Sequence, residues 1–152
     1  MLTPDPSRQS ESATPPAGID LHELAAFIAA RLEGLPEVAG AYLFGSVLAD
    51  FQPQSDIDVA LIVDAATQRD LRRTLEVEAE AQLRLGRRED HPFHVTALDP
   101  NGWFFSFRVV HSGRLVYLAD EERVTNFLED VTRQHADLYP RYRRALEEVL
   151  EG

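Results

Sequence analysis

Residues 40–63 read GAYLFGSVLADFQPQSDIDVALIV, an apolar run that stops at Gly45-Ser46 and resumes after Asp56-Ile57-Asp58. Val38 to Phe44 and Ile57 to Val63 are short, apolar and bounded by turn residues, the pattern of strands in a covered sheet. Asp50 to Ser55, rich in polar residues and holding Pro53, is the loop between them.

Side chains alternate along a strand, so Asp56 and Asp58 should project from one side while Ile57 enters the core. Two carboxylates held that close repel each other unless a cation lies between them. Hard divalent ions of the Mg²⁺ kind prefer such oxygen ligands, usually together with substrate phosphate oxygens. Gly45 and Ser46 follow a strand and precede a short helical turn from Val47 to Asp50. A glycine there lets a phosphate approach the backbone, and the Ser46 hydroxyl adds a donor. Gly-Ser, nine residues and Asp-Ile-Asp between two apolar strands thus set a phosphate cradle beside a metal site.

Working outward, Asp20 with Glu23 has the form of a helix start, and Leu21, Leu24, Ala25, Ile28 and Leu32 recur at helical spacing up to about Glu33. After the second strand, Thr67 to Leu85 predicts one amphipathic helix whose apolar face carries Leu71, Leu75, Ala79 and Leu83. Phe93 to Leu98 is a third strand. Asp99-Pro100 predicts the cap and first turn of a short helix from Asn101 to His111, and Leu115 to Leu118 a fourth strand or extended edge. From Asp120 the pattern is helical almost to the end, with Pro140 expected to kink or divide it.

These elements predict one α/β domain, residues 19–152, with a small mixed sheet, helices packed on one side and C-terminal helices from about 120. Residues 1–18, with Pro4, Pro6, Pro15 and Pro16 among polar residues, are expected to be a disordered tail without the apolar core of a signal peptide. The 152 residues are 44% hydrophobic and 27% charged, and no apolar run approaches the roughly 20 residues of a membrane span. A net charge of −11 argues against a surface built mainly for nucleic acid. There is no cysteine, so a thiolate zinc site is excluded and a cytoplasmic setting is expected. There is no lysine either, which removes Schiff-base and P-loop chemistry.

The Gly-Ser and Asp-Ile-Asp stretch resembles the minimal nucleotidyltransferases of the DNA polymerase β superfamily. The likeness extends over HSGRLVY and the tail FLEDVTRQHADLYPRYRRALEEVL to the small members that pair as antitoxins with HEPN-domain toxins. It implies a polymerase β-like nucleotidyltransferase fold, with Gly45 and Ser46 holding the triphosphate of ATP and Asp56 and Asp58 ligating two Mg²⁺ ions. It also implies transfer of AMP to an acceptor hydroxyl, in these relatives a tyrosine of the HEPN toxin.

The family's third acid falls on His94, and the arginine it carries after Gly-Ser is replaced by Leu48-Ala49-Asp50. An imidazole offers one neutral nitrogen in place of an anionic oxygen. Three readings follow: His94 is a base or weaker ligand; Asp90 or Asp99 reaches the site; or the fold serves as a binding module that neutralises its partner by covering it. Transfer to a small molecule such as an aminoglycoside is a further alternative. Arg69, Arg72, Arg73, Arg84, Arg87 and Arg88 read as a solvated face paired with glutamates, His91, His111 and His135 as structural or surface residues, and Trp103, Phe104, Phe105 and Phe107 as core or interface.

Overall fold

The computed structural model describes residues 19–151; the proline-rich segment 1–18 lies outside them. Among the described residues there are five strands and five α-helices, in the following order. Helix α1 is Leu21–Leu32, strand β1 Val38–Phe44, followed by a 3-10 turn Gly45–Leu48 and β2 Ile57–Val63. Then come α2 Ala65–Gln68, α3 Leu71–Leu85, β3 Arg87–Arg88, β4 His91–Ala97, α4 Trp103–Ser112, β5 Arg114–Leu118 and α5 Glu121–Glu151. Among the described residues no helix is long and apolar enough to cross a membrane.

The sheet is mixed, in the order β3-β4-β2-β1-β5. Strand β1 runs antiparallel to both β2 and β5, and β2 runs parallel to β4. The central strands β1 and β2 are buried almost throughout, as their unbroken apolar sequences require.

The expected fold class holds, but helices cover both faces of the sheet rather than one. Ala41, Leu43, Val59 and Leu61 face Leu24, Ile28 and Leu32 of α1 and Val77, Ala81 and Leu85 of α3. The alternate residues Tyr42, Ala60 and Ile62 face Val109 of α4 and Val124, Phe127 and Val131 of α5. Each large apolar side chain so buried contributes about 1.5–3 kcal/mol. Strands with no polar alternation need this double cover.

Asp20 caps α1 as expected, accepting from the backbone N–H groups of His22 and Glu23 at 2.9 and 3.3 Å. The single helix expected from Thr67 is two. Asp70 breaks it by accepting from Arg73 N and starting α3 afresh. Helix α3 also turns the opposite face inward from the expected one: Leu71, Leu75 and Leu83 are exposed. The reason lies in β4, whose outer edge would otherwise leave polar backbone groups bare. The Gln82 amide donates to Phe93 O and accepts from Val95 N, and Glu78 Oε2 accepts from Ala97 N at 2.6 Å. Only the stripe carrying Glu78 and Gln82 meets that need.

Helix α4 starts at Trp103, two residues later than expected, because Asp99 closes a turn of its own by accepting from Asn101 N at 2.9 Å. Helix α5 continues through Pro140 instead of dividing there. Aromatic contacts on both sides of the proline hold the helix to α4, with Phe107 stacked on His135 at 3.6 Å and Phe104 against Tyr142 at 5.2 Å. Trp103, Phe104 and Phe107 therefore form a helix-to-helix seam, while Phe105 turns to Phe44 of β1.

Candidate active site

The sheet places Asp58 between two neighbours that face the same way. It pairs with Phe44 across the antiparallel β1–β2 ladder and with His94 across the parallel β2–β4 ladder. All three point to the face covered by α4 and α5, at the end where the apolar cluster stops. Ile57 is fully buried on the opposite face, as alternation between it and Asp58 requires, and Asp56 stands exposed just ahead of the strand.

His94 Nδ1 lies 3.5 Å from Asp58 Oδ1. The Asp58 side chain is 28% exposed and that of His94 63%, so the imidazole meets solvent while the carboxylate is partly enclosed. Burial pushes the Asp58 carboxyl up from its ordinary range; His94 opposes this by charge and hydrogen bonding, and repulsion from Asp56 adds to it. A carboxylate in that position is stabilised by any cation brought against it.

Gly45, the first residue of the 3-10 turn after β1, lies against the same carboxylate. Its backbone sits at φ +79°, and a Cβ there would come within 2.6 Å of Asp58 Oδ2. The 3-10 turn that follows is pinned by Val47, which is fully buried. Ser46 is half-buried at the turn's surface, and its backbone carbonyl takes the N–H groups of Ala49 and Asp50 at 3.0 and 2.9 Å. Gly45, Ser46, Asp56, Asp58 and His94 thus gather at one end of the sheet.

Neither of the other acids joins them. Asp99 lies five residues beyond His94, about 16 Å along an extended chain, and its carboxylate is engaged with Asn101 N. Asp90 lies four residues before His94, about 13 Å away, in the turn where its carbonyl accepts from Arg87 at 2.8 Å. His94 is the third titratable side chain of the cluster.

His91 had no role in the sequence beyond a structural one, and the fold makes it a brace for the site loop. It is buried, its ring packs 4.3 Å from that of Phe51, and its Nδ1 lies 2.9 Å from Ser55 O, next to Asp56. The loop-and-histidine contact spans 36 residues of sequence, so no local pattern announces it. Of the arginines expected on a solvated face, Arg72 pairs with Glu76, Arg73 with Glu37 and Glu76, and Arg84 with Glu80.

Asp56 and Asp58 offer oxygen donors suited to a hard divalent cation, and the carboxylate raised by burial at Asp58 favours one. Among the described residues no group of three or more His, Cys, Asp or Glu side chains has the arrangement of a complete metal cage. A divalent cation held by Asp56 and Asp58 would need its remaining ligands from outside the protein.

A family model described as polymerase beta, nucleotidyltransferase matches residues 27–122, a span that holds every one of these residues. No sequence among curated proteins matches. Among solved structures, a mutant of the toxin–antitoxin MntA–HpeT has a chain 16% identical, with a TM-score of 0.59, covering 87% of this chain and 99% of that one. A toxin–antitoxin crystallised with AMP-PNP has a chain 20% identical, TM-score 0.59, over 83% and 98%. The tri-AMPylated Shewanella oneidensis HEPN toxin in complex with its MNT antitoxin gives 19% identity, TM-score 0.58, over 85% and 98%. These likenesses concern the fold, including the long C-terminal helix. With the family model over more than half of the chain and Gly-Ser and Asp-Ile-Asp meeting at one end of its sheet, the chain belongs to the polymerase β-type nucleotidyltransferases.

Proposed function

We propose that the protein is a Mg²⁺-dependent nucleotidyltransferase that moves AMP from ATP to a hydroxyl of a protein partner, a tyrosine of a HEPN-domain toxin, and so acts as an antitoxin. The observation that carries this is the meeting of Gly45, Asp58 and His94 at one point, with Gly45 in contact with the Asp58 carboxylate. The three toxin–antitoxin structures of the same fold support the choice of partner.

In this reading the Gly45–Ser46 turn receives the triphosphate. Asp56 and Asp58 would hold Mg²⁺, which when bound neutralises phosphate oxygens and favours in-line displacement. The acceptor hydroxyl oxygen bonds to the α-phosphorus, the bond from that phosphorus to the bridging oxygen breaks, and pyrophosphate leaves with the electron pair. His94, exposed and beside Asp58, takes the hydroxyl proton. His91 keeps the loop bearing Asp56 in place through Ser55. The setting proposed for this chemistry is the cytoplasm, where ATP is abundant, and the domain proper is residues 19–152.

The test is intact mass of the HEPN toxin after incubation with the protein, ATP and Mg²⁺. The reading expects a gain of one or more AMP masses, lost in the Asp56→Ala, Asp58→Ala double variant. An unmodified toxin that is nonetheless held in a tight complex by both proteins would replace it with the binding-module reading, which the histidine at position 94 favours.

A further inference from the structure

A cavity of about 380 Å³ opens between the 3-10 turn and helix α4, within the size range of small-molecule sites. Its walls include Phe44, Gly45 and Leu48 on one side and Phe105, Arg108 and Val109 on the other. Gly45 is common to this cavity and to the carboxylate site, so a ligand lying along the turn touches both.

The charge around it is one-sided. Residues 46–56, SVLADFQPQSD, contain no basic side chain and carry Asp50 and Asp56, with Asp58 just beyond. A polyphosphate approaching this turn meets carboxylates from the loop. Arg108 is the one cationic side chain lining the cavity, and among the described residues its guanidinium has no ion pair and no hydrogen bond.

The backbone that carries Arg108 is anchored by its helix neighbours, while its side chain is exposed. Its neighbour Val109 is buried in the core, and Ser106 is buried with its hydroxyl donating to Asp99 O at 2.8 Å. Phe105, one turn face away, meets Phe44 edge to face at 5.6 Å. A guanidinium offers a planar fork of donors that matches phosphate oxygens, and it stays charged at all working pH values.

We infer that Arg108 grips the terminal phosphates of the nucleoside triphosphate across this cavity, opposite the Gly45–Ser46 turn. The inference rests on the nucleotidyltransferase reading and adds to it a phosphate contact from α4, a part of the chain remote from both sequence motifs. The grip acts on the β- and γ-phosphates and leaves the nucleoside end to other walls of the site.

Calorimetric titration of the wild type, Arg108→Ala and Arg108→Lys with MgATP and with AMP tests it. Arg108→Ala should weaken MgATP about 10- to 100-fold, the range for losing a charge-assisted bond, with partial recovery in Arg108→Lys and unchanged affinity for AMP. Equal MgATP affinity in the wild type and Arg108→Ala overturns the inference and leaves the nucleotidyltransferase reading standing, as does an equal loss for MgATP and AMP, which would put the arginine at the nucleoside end. A wild type that binds no MgATP overturns both. Matching thermal melts for the three proteins show that the exposed substitution leaves the fold intact.

Discussion

Asp58 and Gly45 lie against each other just beyond the last pair of the β1–β2 ladder, an approach possible only because residue 45 has no side chain: a Cβ would lie 2.6 Å from Asp58 Oδ2. The position also sits at φ +79°, which non-glycine residues seldom adopt. Two independent demands thus meet on one residue.

Gly45→Ala should therefore cost about 1–3 kcal/mol of stability and displace the Asp58 carboxylate or the turn. Denaturant unfolding measures the first effect. The second predicts a loss of AMP transfer larger than the stability loss explains, measured on protein still fully folded at the assay temperature. A variant as stable and active as the wild type would show that the turn yields freely.

His94→Asp puts a third carboxylate beside Asp58 and opposite charges nowhere near it. Without divalent cation the added repulsion should lower the melting temperature, and Mg²⁺ should restore or exceed the wild-type value, since an ion bound only by the folded state stabilises it. Transfer of labelled AMP should rise at least about tenfold if an anionic oxygen is what the site lacks. Melting curves with and without Mg²⁺, read beside the labelling assay, separate the metal effect from the proton effect.

The sequence shows the active end of the sheet more plainly than the packing of its outer helices, and the reason is local against non-local information. Ile57 and Asp58 open β2 directly after Asp56, where alternation assigns the faces of the two strand residues, and Gly45 and Ser46 follow the end of the adjoining strand. Helix α3 is different, because its sequence holds two stripes at helical spacing. Leu71, Leu75 and Leu83 make the more apolar one, yet the structure buries Val77, Ala81 and Leu85 with Glu78 and Gln82 alongside. That choice depends on the bare edge of β4, which begins 6 residues after the helix ends and is invisible in the helix itself. The contact of His91 with Ser55 is invisible in the sequence for the same reason, since it joins segments 36 residues apart.

The exposed leucines provide a direct check on that assignment. Leu71→Gln, Leu75→Gln and Leu83→Gln should each change stability by no more than about 0.5 kcal/mol, whereas Leu85→Ala should cost about 2–5 kcal/mol. Gln82→Leu should destabilise as well, despite its added apolar surface, because it strips Phe93 O and Val95 N of their partners. Urea midpoints across the five variants decide which stripe faces the sheet.

Asp58→Asn removes a carboxylate whose ionisation the fold opposes. Because the folded-state pKa lies above the unfolded one, the folded protein holds this proton more tightly, and the ionisation penalty appears as pH rises through that range and persists above it. At neutral pH the variant should therefore melt higher than the wild type by about 1–3 °C in metal-free buffer. Below the ordinary carboxylate pKa both states of the wild type are protonated, so the difference should close. Adding Mg²⁺ should reverse the order at neutral pH, since only the carboxylate gains from the ion. Melting temperatures from about pH 3 to pH 8, with chelator and then with Mg²⁺, test this; a variant less stable than the wild type in chelator would mean that His94 offsets the burial of Asp58 in full.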